Sequence, residues 1–252
     1  MDKKRIPIGF EDFKEIREEN LYFVDKTMMI QELLDGSKVT LLTRPRRFGK
    51  TLNLSMVRRF FEDERTTEGE KIDNRGLFEG LAIMGAGETY LAHMGQYPVI
   101  TLSLKSGKQD NYDLSYTMLK RQIVAEFSRH RYVLDGTMDT TQRDKYQAIL
   151  GESKEPALYI DALRFLSECL YHYHGREAVI LIDEYDVPLE NAYFQGFYDE
   201  MIGFIRSLFE SALKTNPYLK LGVVTGCLRI SKESIFTGLN NLEIHSIISP
   251  KY

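Results

Sequence analysis

The chain has 252 residues, 43% of them apolar, which is enough to build one sizeable core. Its formal charge of -4 and pI near 5.8 argue against a global positive field for nucleic acid. Two distant cysteines, Cys169 and Cys227, exclude a disulfide framework and a Cys-x-x-Cys zinc site.

The first residues carry no apolar leader, and no run approaches the ~18 apolar residues of a membrane span. The expectation is a soluble cytoplasmic protein without a membrane partner. No repeat or Gly/Ser linker divides the chain, so residues 1–252 read as one domain.

In chain order, a helix is expected near Met28 to Leu34, followed by an apolar strand at Val39 to Thr43. That strand runs into Arg44-Pro45-Arg46-Arg47-Phe48-Gly49-Lys50-Thr51. The Gly-Lys-Thr matches the end of the phosphate-loop pattern G-x-x-x-x-G-K-[ST], with Arg44 in place of the first glycine. A strand-to-helix turn aims backbone N–H groups and the positive helix end at a phosphate. Arg44 precedes a proline, which pushes it toward extended geometry, and Pro45 has no N–H. The cradle therefore rests on the amides from Arg46 through Phe48 and Gly49 to Thr51. Lys50 would reach the β- and γ-phosphates and Thr51 would bond Mg²⁺. Arg46 and Arg47 either touch phosphate or remain solvated.

After Thr51, Leu54, Val57, Phe60 and Phe61 recur at helical spacing on one face. A strand at Pro98 to Leu104 and a helix at Tyr112 to Phe127 follow. Arg131 to Glu155 is polar and reads as a loop with a short helix, a candidate mobile segment. A helix over Ala157 to His172 comes next. His172 and His174 are poorly spaced for chelation.

The strand Ala178 to Ile182 delivers Asp183 and Glu184 to its carboxyl end, where open α/β sheets bind ligands. Asp183 suits a Mg²⁺ ligand and Glu184 the residue that activates water. Asp186 extends the acidic run, so a metal-dependent nuclease on clustered carboxylates is an alternative. After a helix at Tyr198 to Leu213, the strand Leu219 to Thr225 ends in a hydroxyl. Thr225 could sense a γ-phosphate or merely bond its own turn. Arg229 could stabilise transition-state charge in cis or pair with a surface acid. A fifth strand is expected around Leu242 to Ile248. Continuous apolar strands alternating with helices imply an α/β fold with a mainly parallel sheet covered on both faces.

Three blocks together resemble the predicted AAA-ATPase-like family of prokaryotic P-loop proteins. They are Ile6-Pro7-Ile8-Gly9-Phe10 through Phe23-Val24-Asp25-Lys26-Thr27, the Arg44 to Thr51 loop, and Ile182 to Asp186 with Thr225-Gly226 to Asn240-Asn241. In that family an arginine at the first loop position belongs to the pattern. The resemblance implies a three-layer αβα P-loop fold with a five-stranded sheet of order 5-1-4-3-2, and ATP with Mg²⁺ as cofactors. It places Phe23-Val24-Asp25-Lys26-Thr27 near the adenine, with Asp25 as the base-site candidate; a helix cap just before the Met28 helix is the alternative role for Asp25. Similar proteins continue into further helices and a nuclease-like domain, so the expectation is a domain lacking its C-terminal lid. Its partner would be a protein or such a domain, with nucleic acid reached only through the latter. Function is expected to be Mg²⁺-dependent ATP hydrolysis by a switch or motor module, or else a nucleotide-gated scaffold without turnover.

Overall fold

The computed structural model describes residues 4–66, 70–227, 235–236 and 242–245. Five strands form one sheet: β1 (Val39–Thr43), β2 (Val99–Ser103), β3 (Ala178–Asp183), β4 (Leu219–Gly226) and β5 (Leu242–His245). Every pairing is parallel and the order is β2-β3-β4-β1-β5, which read from the opposite edge is 5-1-4-3-2. β1, β3 and β4 are almost wholly buried, as expected for strands covered on both faces. The remainder of the expected fifth strand, beyond His245, lies outside the described residues.

The helices are α1 (Phe13–Glu18), α2 (Met29–Asp35), α3 (Lys50–Phe61), α4 (Glu88–Leu91), α5 (Tyr112–Arg129), α6 (Thr140–Leu150), α7 (Pro156–Ile160), α8 (Ala162–His174), α9 (Val187–Gln195) and α10 (Tyr198–Phe209). Alternate strand residues feed two separate cores, so the molecule has three layers. Val179 and Leu181 pack with Phe13, Ile30, Val57 and Phe60 from α1, α2 and α3. Ala178, Ile180 and Ile182 pack with α5, α8 and α10 through residues such as Phe127, Leu166 and Ile205. Burying one such side chain stabilises by about 1.5–3 kcal/mol, so the sheet is anchored from both sides.

The polar stretch Arg131 to Glu155 is better ordered than its composition suggests. It holds a 3₁₀ turn and the three-turn helix α6, which a capping box starts: Asp139 accepts from Gln142 N, and Gln142 returns to Asp139 N. Tyr146 and Ile149 anchor α6 in the core, and the Tyr146 hydroxyl donates to the Phe127 carbonyl. The expected helix over Ala157 to His172 is broken at Asp161, whose carboxylate collects Lys145, Arg164 and Ser211. The helix from Tyr198 leaves α-geometry at Glu210 and ends in a π-turn through Lys214.

Candidate nucleotide-phosphate site

The C-terminal ends of β1, β3 and β4 line up through register. Thr43 lies opposite Gly226, Leu42 opposite Thr225, and Ile182 opposite Val224. This delivers the loop after β1, the acids after β3 and the hydroxyl of β4 to one edge.

The loop from Arg44 to Gly49 starts α3 at Lys50. Arg44 N donates to Gly226 O at 3.1 Å, continuing the β1–β4 ladder by one residue, and Arg44 takes no positive φ. Left-handed backbone falls instead at Arg47 (φ 69°) and Gly49 (φ 72°). Arg47 occupies a conformation that costs a non-glycine residue about 1–3 kcal/mol, a feature the sequence did not announce. Lys50 Nζ donates to the Arg44 and Pro45 carbonyls at 2.9 and 3.0 Å and lies 3.2 Å from Cys227 Sγ. Among the described residues no carboxylate lies within ion-pair reach of Lys50, so its charge is held by neutral groups.

Asp183 is only 8% exposed. Its Oδ2 accepts from Thr51 Oγ1 at 2.6 Å, and its Oδ1 accepts from Thr225 Oγ1 and from Glu184 N at 2.9 Å. Thr51, Asp183 and Thr225, from three separate elements, thus form one continuous hydrogen-bonded group. A nearly buried carboxylate served by hydroxyls and an amide, with no basic side chain among its described partners, suits a hard cation with oxygen ligands.

Glu184 turns the chain out of β3 with φ 55°, like Arg47 a non-glycine residue of this edge in the left-handed region. Burial and then the neighbouring Asp183 raise its carboxyl above the ordinary range, against the opposing pull of Lys105 and Lys50. That is the direction a proton-accepting carboxylate requires near neutral pH. The turn is locked by backbone: Tyr185 N donates to Thr225 O at 3.1 Å, and Gly226 leaves room for the Tyr185 ring, which a Cβ there would meet at 2.5 Å.

The other expected site residues separate. Phe48 is 62% exposed on the loop. Arg46 reaches Glu190 at 3.3 Å across solvent, a pair of the weak surface kind, and Arg47 is exposed. Asp25 turns away from the loop: Thr27 N and Oγ1 donate to one oxygen at 2.8 and 2.6 Å, and Ala82 N donates to the other at 2.7 Å. It does not cap α2 either, since Met28 is the N-cap and makes no side-chain cap bond. Asp186 is buried and accepts from Cys227 N at 2.8 Å. Among the described residues no group of three His, Cys, Asp or Glu side chains converges to hold an ion. Arg229 lies outside the described residues. Cys227 beside Lys50 went unnoticed in the sequence; its position two residues past Thr225, at the end of an edge-facing strand, was the available signal.

Lysine, hydroxyls and a carboxylate thus gather at the C-terminal edge of a parallel α/β sheet, the edge at which such sheets bind ligands. The model of the family described as Predicted AAA-ATPase matches residues 7–236, and the chain belongs to that family. The chain is also similar to the "Uncharacterized protein in vnfD 5'region" of Azotobacter chroococcum mcd 1. It is 29% identical to that protein over 252 residues, covering 99% of this chain and 42% of the relative's length. No solved structure matches. Among the described residues no helix is long and apolar enough to cross a membrane.

Proposed function

We propose that this chain is a Mg²⁺-dependent ATP-binding and ATP-hydrolysing P-loop module, a switch or motor that drives a protein partner or a further domain of a longer chain. The observation that carries this reading is the 2.6 Å bond between Thr51, on the loop helix, and Asp183, at the acidic strand end. Two motifs 132 residues apart meet there through side-chain oxygens.

The family membership supports nucleotide chemistry, and the site residues divide the work. Backbone amides from Arg46 to Thr51 face the phosphates at the positive end of α3. Lys50 exchanges its loop carbonyls for phosphate oxygens, which are stronger acceptors for an ammonium. Thr51 and Asp183 would hold Mg²⁺, which when bound supplies positive charge against the phosphate oxygens. Thr225 fixes Asp183 from the far side and keeps its oxygens aimed at the loop. Glu184, in left-handed backbone where the chain leaves β3, accepts a proton from the attacking water.

Steady-state phosphate release tests the reading. Wild-type turnover should fall by about 10²–10⁴-fold in Glu184→Gln, the usual range for a general base. Equal background rates in the two proteins would refute hydrolysis through Glu184 and leave a nucleotide-gated scaffold.

A further inference from the structure

Two lysines reach Glu184 electrostatically from different elements. Lys50 starts α3, and Lys105 follows β2, where it opens a 3₁₀ turn over Lys105–Gly107. The pull of Lys105 on Glu184 is the stronger of the two. Ser103 pairs in register with Asp183, and Leu104 N donates to Asp183 O at 3.0 Å, so the chain leaves β2 for Lys105 directly beside the acidic strand end. The Lys105 side chain is exposed. Among the described residues its ammonium has neither an ion-pair partner nor a hydrogen-bond acceptor.

The backbone holds this arrangement from both sides. Ser115 Oγ on α5 donates to Gly107 O at 2.6 Å, Gly107 N donates to Leu104 O at 3.0 Å, and a Cβ on Gly107 would meet Pro188 of α9 at 2.8 Å. Glu184 is fixed on its own side by the bond from Tyr185 N to Thr225 O. An ammonium and a carboxylate that attract one another thus stand at one sheet edge without closing into an ion pair. A phosphate between them satisfies both: its oxygens accept from Lys105, a charge-assisted bond, while Glu184 takes the attacking water. In an in-line displacement the phosphorus moves toward that water, so a donor on the water's side gains most in the transition state.

Resting on the reading of the chain as an ATP-hydrolysing P-loop module, we propose that Lys105 is a further catalytic residue, bonding an equatorial oxygen of the terminal phosphate during transfer. The water oxygen bonds to the terminal phosphorus and its proton passes to Glu184. The bond from that phosphorus to the bridging oxygen breaks, and its electron pair leaves with ADP. Lys105 keeps its protons throughout and lends charge to the oxygens where negative charge spreads.

Titration of Mg-ADP, with and without aluminium fluoride, into wild type, Lys105→Ala, Lys105→Arg and Lys108→Ala tests this, because the fluoride stands where the phosphoryl group is in transfer. One hydrogen bond to a charged group corresponds to about 10- to 150-fold in affinity. Lys105→Ala should weaken the fluoride complex by that factor and leave Mg-ADP alone unchanged. Lys105→Arg should restore most of the loss, and Lys108→Ala should match wild type. In phosphate release, kcat of Lys105→Ala should fall by the same factor while KM for Mg-ATP changes far less. The weakened fluoride complex should persist when Glu184→Gln is added.

A fluoride complex equally tight in wild type and Lys105→Ala overturns the proposal. So does an equal loss in Lys108→Ala, which would mark a general field, or a loss that vanishes with Glu184→Gln, which would make Lys105 a positioning residue for Glu184. If wild type binds Mg-ADP but gains nothing from fluoride, the transition-state contact fails and the phosphate loop stands. If wild type binds neither Mg-ADP nor Mg-ATP, the loop reading fails and this role with it.

Discussion

The two ends of the sheet treat charge in opposite ways. Near the start of β2, Arg129 donates to Glu62 at 2.5 Å, to Glu126 at 2.6 Å and to the Val99 carbonyl. Glu126 accepts from Thr101 N at 2.7 Å, and buried His130 lies 3.2 Å from Val99 O. Side chains of α5 thus occupy backbone groups of the edge strand β2, which would otherwise template pairing with another chain. Burial alone would raise Glu126, but Arg129 and His130 outweigh it and hold the carboxyl far below its usual range. At the opposite end, among the described residues, Lys50 meets carbonyls and a thiol, Asp183 meets hydroxyls and an amide, and Glu184 is pushed upward by burial and Asp183. Paired charges close a structure; charges left with neutral partners keep electrostatic capacity for a ligand.

Substitutions at the two ends should therefore separate stability from activity. The largest effect is expected on turnover, with Glu184→Gln losing the roughly hundredfold or more of a general base while its melting temperature changes little. Next, Arg129→Met should cost about 3–5 kcal/mol in denaturant unfolding, because it leaves buried Glu126 with His130 in place of its guanidinium, while Glu62 keeps Arg58 at 2.7 Å. A result under about 1 kcal/mol would place that cluster among ordinary surface pairs.

Titration sharpens the contrast. His174, buried against Asp63 and Tyr132, is lowered by burial from 6.5 to about 4. Since the unfolded chain binds that proton first, this group's contribution to stability is intact above pH 6.5 and is lost as pH falls toward 4. His174→Phe should flatten that part of the melting profile. At the other end, the acid limb of the turnover profile should lie above the ordinary glutamate range. Lys105→Ala should move it higher still, because Lys105 favours the charged Glu184. The smallest effect belongs to the cap of α6, where Asp139→Ala should cost about 0.5–2 kcal/mol without altering turnover.

How much the sequence disclosed follows from the same physics. β1 and β4 were legible nearly to the residue because strands buried on both faces appear as unbroken apolar runs. Gly49-Lys50-Thr51 and Asp183-Glu184 stood out because those residue types at strand ends match the phosphate-loop pattern and a strand-end carboxylate pair. α6 was legible only as a short helix without bounds, since Tyr146 and Ile149 alone are buried along it, although Asp139-x-x-Gln142 was a readable start. The Arg129 cluster was equally hidden, because charges at helical spacing look solvated until the strand they cover is known. Arg47 gives no sign in the sequence of its left-handed backbone, and Asp25 holds a turn through contacts 57 residues away at Ala82.

The most direct test of the ligand-ready edge is thermal melting with and without saturating Mg-ATP, on wild type and Lys50→Ala. A ligand at a hundred times its Kd adds about 2.7 kcal/mol, and for a chain of this size each kcal/mol moves the midpoint by about 2–4 °C. Wild type should rise by about 5–10 °C and Lys50→Ala should not move. No rise in wild type, or an equal rise in Lys50→Ala, would contradict a phosphate site at Lys50.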